Sequence, residues 1–209
     1  MHRLPCPEWT NQQEPRNKLP AVGMAAAAIF ASIQKQNQKK QLLNHGHLKM
    51  WHQKLLKDVV PVPYYAGNYR SAESRHPCLN VDNEVDGVPG APFQEVATRM
   101  ARFSMTLESV TTDTDDFVET QKSPEVRLKA AAQIAALAAG TIIQIHPFLN
   151  GNGRMARFTA NFFFDRYGFR MPFFIDRPSG ADYPQACRAA MRQGDFVPLF
   201  QYFVALMAT

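Results

Sequence analysis

The feature that most constrains the fold is an alanine-rich stretch in the second half of the chain. From Ala130 to Ala139 the sequence is apolar on nearly every side of a helix, with Gln133 as the exception. A helix without a polar face has to be surrounded by other elements. Pro124 suits its first turn, and His146 suits its end because the residue before a proline is pushed out of the helical region. The sequence therefore predicts a central, buried helix from residue 124 to about 145, within an all-α fold.

Several other segments have the apolar spacing of helices that pack on one side. Their apolar residues recur every three or four positions, as Val96, Met100, Phe103 and Leu107 do. We predict helices over Ala25 to about Leu43, Leu48 to Asp58, Pro92 to about Glu108, Gly153 to Tyr167-Gly168, Ala181 to Arg192 and Phe196 to Met207. The polar stretch from Thr111 to Asp116 is predicted as a loop.

Two regions lack helical spacing. Residues 1–20 contain four prolines and no periodicity, so we expect a loose N-terminal arm before a single domain spanning residues 21–209. Further along, Leu79-Asn-Val81 and Val85-Asp-Gly-Val88 are predicted as two short strands joined around Asp82 to Glu84.

Composition narrows the classes of function. The net charge of +5 is scattered, and no basic run is interleaved with aromatic residues, so we expect no nucleic-acid partner. We find no apolar run of transmembrane length and expect no membrane partner. The three cysteines are far apart and odd in number, which predicts reduced thiols in a cytoplasmic protein. Three histidines at positions 45, 47 and 52 lack a fourth metal ligand at a familiar spacing, and we interpret them as surface residues.

The stretch after the central helix, residues 145–157, carries the candidate chemistry. Gly151 and Gly153 allow the backbone to approach a ligand, and a helix can begin near Gly153. The first N–H groups of a helix have no intrahelical partner and attract anions, phosphate above all. Arg154 and Arg157 lie three positions apart and can share a face of the first turn, while His146 is a candidate general base. A corner between two helices, with a surface histidine and solvated arginines, is the simpler alternative.

This stretch closely resembles the sequence motif of the Fic family. That motif is His-Pro-Phe, any residue, Asp or Glu, Gly-Asn-Gly-Arg, and a second Arg three residues later. Eight positions match in order and spacing: His146, Pro147, Phe148, Gly151, Asn152, Gly153, Arg154 and Arg157. One position departs from it, because Asn150 stands where the family usually has an acid. The resemblance spans roughly residues 48–207 and implies a Fic-type helical bundle with a small β-hairpin flap near the active loop.

The resemblance also implies an activity, the transfer of AMP from ATP to a Ser, Thr or Tyr hydroxyl of a target protein. His146 would deprotonate the hydroxyl, and Phe148 would fix the loop in the core. The backbone of Gly151-Asn152-Gly153 and the Asn152 side chain would hold the α- and β-phosphates. Arg154 and Arg157 would hold the β- and γ-phosphates. Asn150 takes the position that binds Mg²⁺ in the family, and an amide oxygen brings no charge.

Asn150 therefore keeps alternatives open. One is a catalytically weak or silent module that binds a nucleotide or a partner. Another is a transferase of UMP, phosphocholine or phosphate, although phosphate transfer in the family goes with Lys at the position of Gly153.

The resemblance further implies partners. The hairpin, with Leu79, Val81, Val85 and Val88, would dock the target chain by strand addition, against the alternative of a plain surface hairpin. Many relatives carry an inhibitory helix, but neither Thr10 with Glu14 nor Ser104 with Glu108 fits it well. We therefore expect a separate, antitoxin-like inhibitor. The expected location is the cytoplasm, or another cell into which the protein is delivered as an effector.

Overall fold

The structure is a computed structural model that describes residues 6–9, 19–171 and 178–208. Its α-helices are, in chain order, α1 (Leu19–Gln38), α2 (His45–Leu56), α3 (Phe93–Thr120), α4 (Pro124–Ile145), α5 (Asn152–Arg166), α6 (Asp182–Gln193) and α7 (Val197–Met207). Two short strands, β1 (Glu84–Val85) and β2 (Val88–Pro89), form an antiparallel hairpin between α2 and α3. The all-α class with one small hairpin is thus confirmed.

Helix α4 lies at the centre, as its composition predicts. It begins at Pro124, where Ser123 caps the helix by accepting a hydrogen bond from the N–H of Val126, and it ends at Ile145. Its alanines are buried from Ala131 onward, and it packs against α3, α5, α6 and α7. Small side chains on every face let these helices approach closely, so the phenylalanines of α5 complete the core around it.

Helix α4 is also the one described helix that is long and apolar enough to cross a membrane by length and composition. The expectation that no apolar run reaches that length is therefore wrong. The 18-residue stretch of α4 that meets this criterion of length and composition is 61% buried inside the protein. The core helix of a globular protein passes the same test, and burial accounts for its composition here.

Helix α3 runs through the stretch that was predicted as a polar loop. Thr112 and Thr114 remain helical, and each hydroxyl donates to the carbonyl four residues earlier. Thr111 is buried, and Asp115 accepts two hydrogen bonds from Arg166 of α5. The prediction of a loop over Thr111 to Asp116 is therefore wrong. Tertiary contacts to α5 outweigh the weak helix propensity of threonine and aspartate.

The hairpin is shifted along the chain relative to its prediction. Val85 pairs with Val88, so Asp86 and Gly87 form the turn, both with positive φ. Asp-Gly is a preferred pair for such a two-residue hairpin turn. The prediction of a strand from Val85 through Val88 is thus wrong. The predicted strand at Leu79 is wrong as well, because Leu79 ends a short 3-10 helix and is buried.

The N-terminal residues 6–9 lie against the domain. Cys6 and Cys78 form a disulfide with Cα atoms 5.4 Å apart, and the Tyr65 hydroxyl donates to the carbonyl of Pro7 at 2.9 Å. Trp9 stacks on Tyr65. The expectation of three reduced thiols is therefore wrong for two of them, since 72 residues of separation gave the sequence no sign of the pairing. Cys187 is free. The division into a loose arm and a domain stays a prediction.

Removing this disulfide tests what it contributes. We expect Cys6→Ser to lower the free energy of unfolding by about 2–4 kcal/mol, because a closed loop of this length restricts the unfolded chain. For a chain of this size, that corresponds to a melting temperature lower by about 4–16 °C. The measurement is thermal unfolding of wild type and variant without reductant. Cys187→Ser is the matched control, and an equal loss in that control would contradict the assignment of the pair.

Candidate active site

The candidate base sits at the left-handed end of α4. His146 has φ 53° and ψ 57°, and its N–H donates to the carbonyl of Ile142. Sequence reasoning predicts that the helix ends here because Pro147 follows, and this is confirmed. A positive φ is costly for a residue other than glycine, and such residues cluster at functional sites when their surroundings hold them in place.

Arg70 holds this turn, and sequence reasoning did not name it as a site residue. Its guanidinium is fully buried and donates to the carbonyl of His146 from two nitrogens, at 3.0 and 2.7 Å. It also donates to the carbonyls of Val81, Ala91 and Ile145. Burial lowers the pKa of Arg70 to about 10, so it remains protonated at neutral pH. The signal available in the sequence was its place in Gly67-Asn-Tyr-Arg70, a segment that also resembles the family.

The His146 imidazole is set up to act as a base. Its Nδ1 lies 3.3 Å from the carbonyl of Ile143. A carbonyl only accepts, so Nδ1 carries the proton and Nε2 is the unprotonated nitrogen. Burial, together with the charge of Arg70, lowers the pKa of His146 to about 4. The ring is therefore neutral at physiological pH and able to accept a proton.

The loop after His146 is fixed from within by Phe148 and Asn152. Phe148 is fully buried, and its role as the residue that fixes the loop stays a prediction. The Asn152 side chain accepts from the N–H of Phe148 at 2.9 Å and donates to its carbonyl at 2.8 Å. Both polar atoms of the Asn152 amide are therefore occupied by the loop. Its predicted contact with phosphate stays a prediction, and the backbone N–H of Asn152 is the group suited to make it.

His52 of α2 lies beneath this loop, so its interpretation as a surface residue is wrong. Its side chain is fully buried, and its ring stacks on Phe148 with centroids 3.8 Å apart. Its Nε2 lies 3.0 Å from the carbonyl of Asn150, while the N–H of Gly67 donates to its Nδ1. Sequence periodicity does not distinguish His52 from His45 and His47, so it could not predict that His52 is buried.

Gly151 forms the turn that starts α5. It has φ 81°, and a Cβ there would lie 2.8 Å from Leu56 and 3.1 Å from His52. Both the conformation and the space therefore require glycine. The N–H groups of Asn152, Gly153 and Arg154 follow in the first turn, where no intrahelical acceptor exists. The N-cap residue Gly151 makes no side-chain cap at this end of α5, and the anion site predicted here stays a prediction.

The two arginines lie differently at this helix end. Arg154 is half-buried, whereas Arg157 is only 7% exposed. A Cβ on Gly153 would lie 3.4 Å from Nη1 of Arg157, so that guanidinium reaches back towards the helix N-terminus. Burial lowers the pKa of Arg157, and the neighbouring Tyr183 of α6 opposes this shift. The positive charge of Arg157 thus lies close to the first turn of α5.

Asn150 is engaged at both ends of its amide. Its oxygen accepts from the N–H of Gly151 at 2.6 Å, and its nitrogen donates to the carbonyl of Trp9 at 3.3 Å. No group of three metal-binding side chains exists among the residues that the structure describes. The predicted metal role of Asn150 stays a prediction.

The hairpin borders the loop directly. The Asn83 side chain donates to the carbonyl of Phe148 at 3.1 Å, and a Cβ on Gly90 would lie 2.8 Å from the Cβ of His146. Of the predicted docking residues, Leu79 and Val88 are buried, whereas Val81 and Val85 are exposed. The hairpin therefore lies where a chain paired with it would reach His146, but target docking stays a prediction.

Ser104 and Glu108, the described candidate for an inhibitory segment, lie in the middle of α3. The Ser104 hydroxyl accepts from the N–H of His45 and donates to the carbonyl of Met100. It therefore has a structural role. The other candidate, Thr10 with Glu14, lies outside the described residues.

Comparison with known proteins identifies the class. A model of the Fic/DOC family matches residues 42–164, more than half of the chain. The chain therefore belongs to the Fic/DOC family. Among curated proteins, a Fido domain-containing protein of Dictyostelium discoideum is 39% identical over 59 residues, which are 28% of this chain and 41% of that protein.

Solved structures show the same fold. A Fic domain-containing signalling protein of Bacteroides thetaiotaomicron is similar with a TM-score of 0.65 and 18% identity, covering 90% of this chain and 68% of that one. The BepC protein of Bartonella tribocorum, solved with bound AMPPNP, is similar with a TM-score of 0.59 and 18% identity, covering 88% of this chain and 86% of that one. At these identities the likeness concerns the fold.

The lowered pKa values predict how stability depends on pH. Burial, together with the charge of Arg154, lowers the pKa of His52 to about 4. Burial likewise lowers the pKa of His146 to about 4. Below about pH 6.5 the unfolded chain binds protons that the folded chain excludes. The free energy of unfolding is therefore highest above about pH 6.5. As the pH falls towards 4, the fully buried His52 lowers it by about 1 kcal/mol per pH unit.

Denaturant unfolding between pH 4 and 8 measures this effect. His52→Gln, which cannot titrate, should show a shallower loss of stability than wild type over the acid range. Parallel curves for the two proteins would contradict a buried, neutral His52.

Proposed function

We propose that this protein transfers AMP from ATP to a hydroxyl of another protein. The observation that carries the proposal is the neutral His146, with Nε2 unprotonated, in the same short loop as the helix N-terminus and the two arginines. Members of the Fic/DOC family are typically transferases, and one structural relative binds AMPPNP, a triphosphate nucleotide. Neither finding by itself assigns AMP transfer to this chain.

In this proposal the chemistry needs positioning, charge and a base. The target oxygen attacks the α-phosphorus, the bond from that phosphorus to the bridging oxygen breaks, and pyrophosphate leaves. His146 Nε2 takes the hydroxyl proton. The N–H groups at the start of α5 bind the phosphates, and Arg154 and Arg157 neutralise their charge, which is the main catalytic need in phosphoryl chemistry. The negative charge of bound ATP also raises the pKa of His146 towards the range of an effective base.

Mg²⁺ belongs in this proposal to the substrate. The metal accompanies the triphosphate, since phosphate oxygens and water are its usual ligands. Asn150 is the one side chain of the loop that the family pattern offers to it. The oxygen of Asn150 already accepts from Gly151, so the protein would contribute little charge to the metal.

The occupied oxygen of Asn150 favours a second candidate, a module that binds a nucleotide without efficient transfer. Incubation with labelled ATP, Mg²⁺ and bacterial lysate distinguishes the two. Label in a protein band from wild type, lost in a His146 variant, supports the transferase. ATP binding without label supports the binding module.

Replacing Asn150 tests its position directly. We expect Asn150→Asp to raise Mg²⁺-dependent transfer about tenfold, equivalent to about 1.4 kcal/mol, because a carboxylate adds the charge that Mg²⁺ favours. The sequence alone suggests a stability change within about 0.5 kcal/mol. The structure changes that expectation, since an aspartate cannot donate to the carbonyl of Trp9 and the variant should lose about 1 kcal/mol.

Asn150→Ala is the uncharged comparison, and it loses the acceptor for the N–H of Gly151 as well as the contact to Trp9. The measurement is the initial rate against Mg²⁺ concentration for the three proteins. Equal rates for wild type and Asn150→Asp would show that this position does not act on the metal.

A further inference from the structure

His52 makes contacts that a core histidine does not need. Its ring lies flat on Phe148, 5° from parallel, and Trp9 meets it edge-on. Its side chain is fully buried, although histidine is costly to bury unless both ring nitrogens have partners. Here both do, and the two partners belong to different parts of the chain.

These two partners define the tautomer. The N–H of Gly67 donates to Nδ1 at 2.9 Å, so Nδ1 is an acceptor and carries no proton. The proton is therefore on Nε2, which donates to the carbonyl of Asn150 at 3.0 Å. The imidazole thus connects the chain after α2 to the turn before α5.

The carbonyl that His52 holds belongs to a critical peptide group. The Asn150–Gly151 peptide has its carbonyl bound by His52 and its N–H bound by the Asn150 side chain. The next three N–H groups, those of Asn152, Gly153 and Arg154, belong to the first turn of α5. The plane of this peptide therefore sets the direction in which the first turn of the helix presents its donors.

We propose that His52 is a positioning residue for the phosphate-binding turn: its Nε2–H fixes the Asn150–Gly151 peptide and thereby the N–H groups that bind the phosphates. The inference rests on the proposed nucleotide-binding role of this turn. His52 touches no substrate and takes no part in proton transfer. In this role the donated hydrogen bond matters, and the stacking on Phe148 alone is not sufficient.

Three substitutions separate the donor from the rest of the ring. In His52→Gln the amide nitrogen is as many bonds from Cβ as Nε2, so the donor to Asn150 is kept and the acceptor for Gly67 is lost. In His52→Asn the amide oxygen reaches only the position of Nδ1, so the acceptor is kept and the donor is lost. His52→Phe keeps an aromatic ring on Phe148 and loses both hydrogen bonds.

The first readout is the Kd for ATP with Mg²⁺, measured by calorimetry on the full chain. We expect His52→Asn and His52→Phe to bind about 3- to 10-fold more weakly than wild type, the effect of one lost hydrogen bond, and His52→Gln to change by no more than about twofold. His52→Gln and His52→Asn each lose one hydrogen bond and the ring, so their unfolding midpoints should be similar. A purely structural role would make ATP binding follow stability and would not separate this pair.

The second readout does not depend on the ligand. Amide hydrogen exchange of residues 150–154 should be faster in His52→Asn than in His52→Gln, with the rest of α5 alike in both. Equal ATP affinity and equal exchange in the pair would overturn the inference. If wild type binds ATP but transfers nothing, the proposed transferase fails and both readouts still decide the role of His52. If wild type does not bind ATP, nucleotide binding fails and exchange alone decides whether His52 positions the turn.

Discussion

Replacing His146 should abolish most transfer while leaving ATP bound. A positioned general base contributes about 10²- to 10⁴-fold to the rate, and we expect a loss of that size. ATP affinity should change by no more than about threefold, because in the proposed binding mode the phosphates contact the start of α5 and the arginines rather than the imidazole. The measurement is the initial rate of label transfer from ATP to protein, together with the Kd for ATP.

The choice of substitution matters because His146 has a positive φ. Alanine in this conformation costs about 1–2 kcal/mol, which would mix a folding defect with the loss of the base. Asparagine tolerates the left-handed region, so His146→Asn removes the base and keeps the turn that Arg70 binds. His146→Ala is the comparison. Transfer by His146→Asn within tenfold of wild type would show that another group accepts the proton.

Removing Arg157 should weaken ATP binding by about 1.5–3 kcal/mol, or about 10- to 150-fold, the usual scale for a charge-assisted contact. The structure supports this assignment because the guanidinium reaches back to Gly153 at the start of α5. It also adds a second effect, since Arg157 is largely buried beside Tyr183 and Arg157→Ala should lower stability. The measurement is the Kd for ATP at a temperature where both proteins are folded.

Arg157→Lys is the matched control, because it keeps a positive charge and loses the planar, two-pronged geometry of the guanidinium. We expect its ATP affinity to lie between those of wild type and Arg157→Ala. If Arg157→Ala binds ATP more tightly than wild type, a carboxylate is occupying the arginine and excluding the γ-phosphate, and the role assigned to Arg157 here is wrong.

The features that sequence reasoning predicted correctly are those that local chemistry determines. Helix α4 has the predicted bounds because an apolar run, a proline at its start and His-Pro at its end all act within a few residues. The start of α5 was predicted to within one residue for the same reason, with Gly151 as the turn. The motif residues His146, Phe148 and the two arginines lie between the end of α4 and the first two turns of α5, and their roles stay predictions.

The features that sequence reasoning missed depend on contacts between distant segments. Thr111 is helical because α3 packs against α4 and is tied to α5, and no local pattern reports that. His52 lies under the loop because α2 delivers it there, 98 residues before its partner Asn150. Arg70 organises the His146 turn by donating to backbone carbonyls, and the sequence does not show which carbonyls a side chain will contact. The hairpin error was avoidable, since Asp86-Gly87 is a turn signal that the strand prediction overlooked.

The most direct test of the account is the identity of the phosphorus that reaches the target. Wild type would be incubated with Mg²⁺, bacterial lysate and ATP labelled either at the α- or at the γ-phosphorus, with His146→Asn in parallel. We predict label in protein from α-labelled ATP, none from γ-labelled ATP, and loss of the α-label with His146→Asn. Label from γ-labelled ATP, or α-label that persists in His146→Asn, would contradict it.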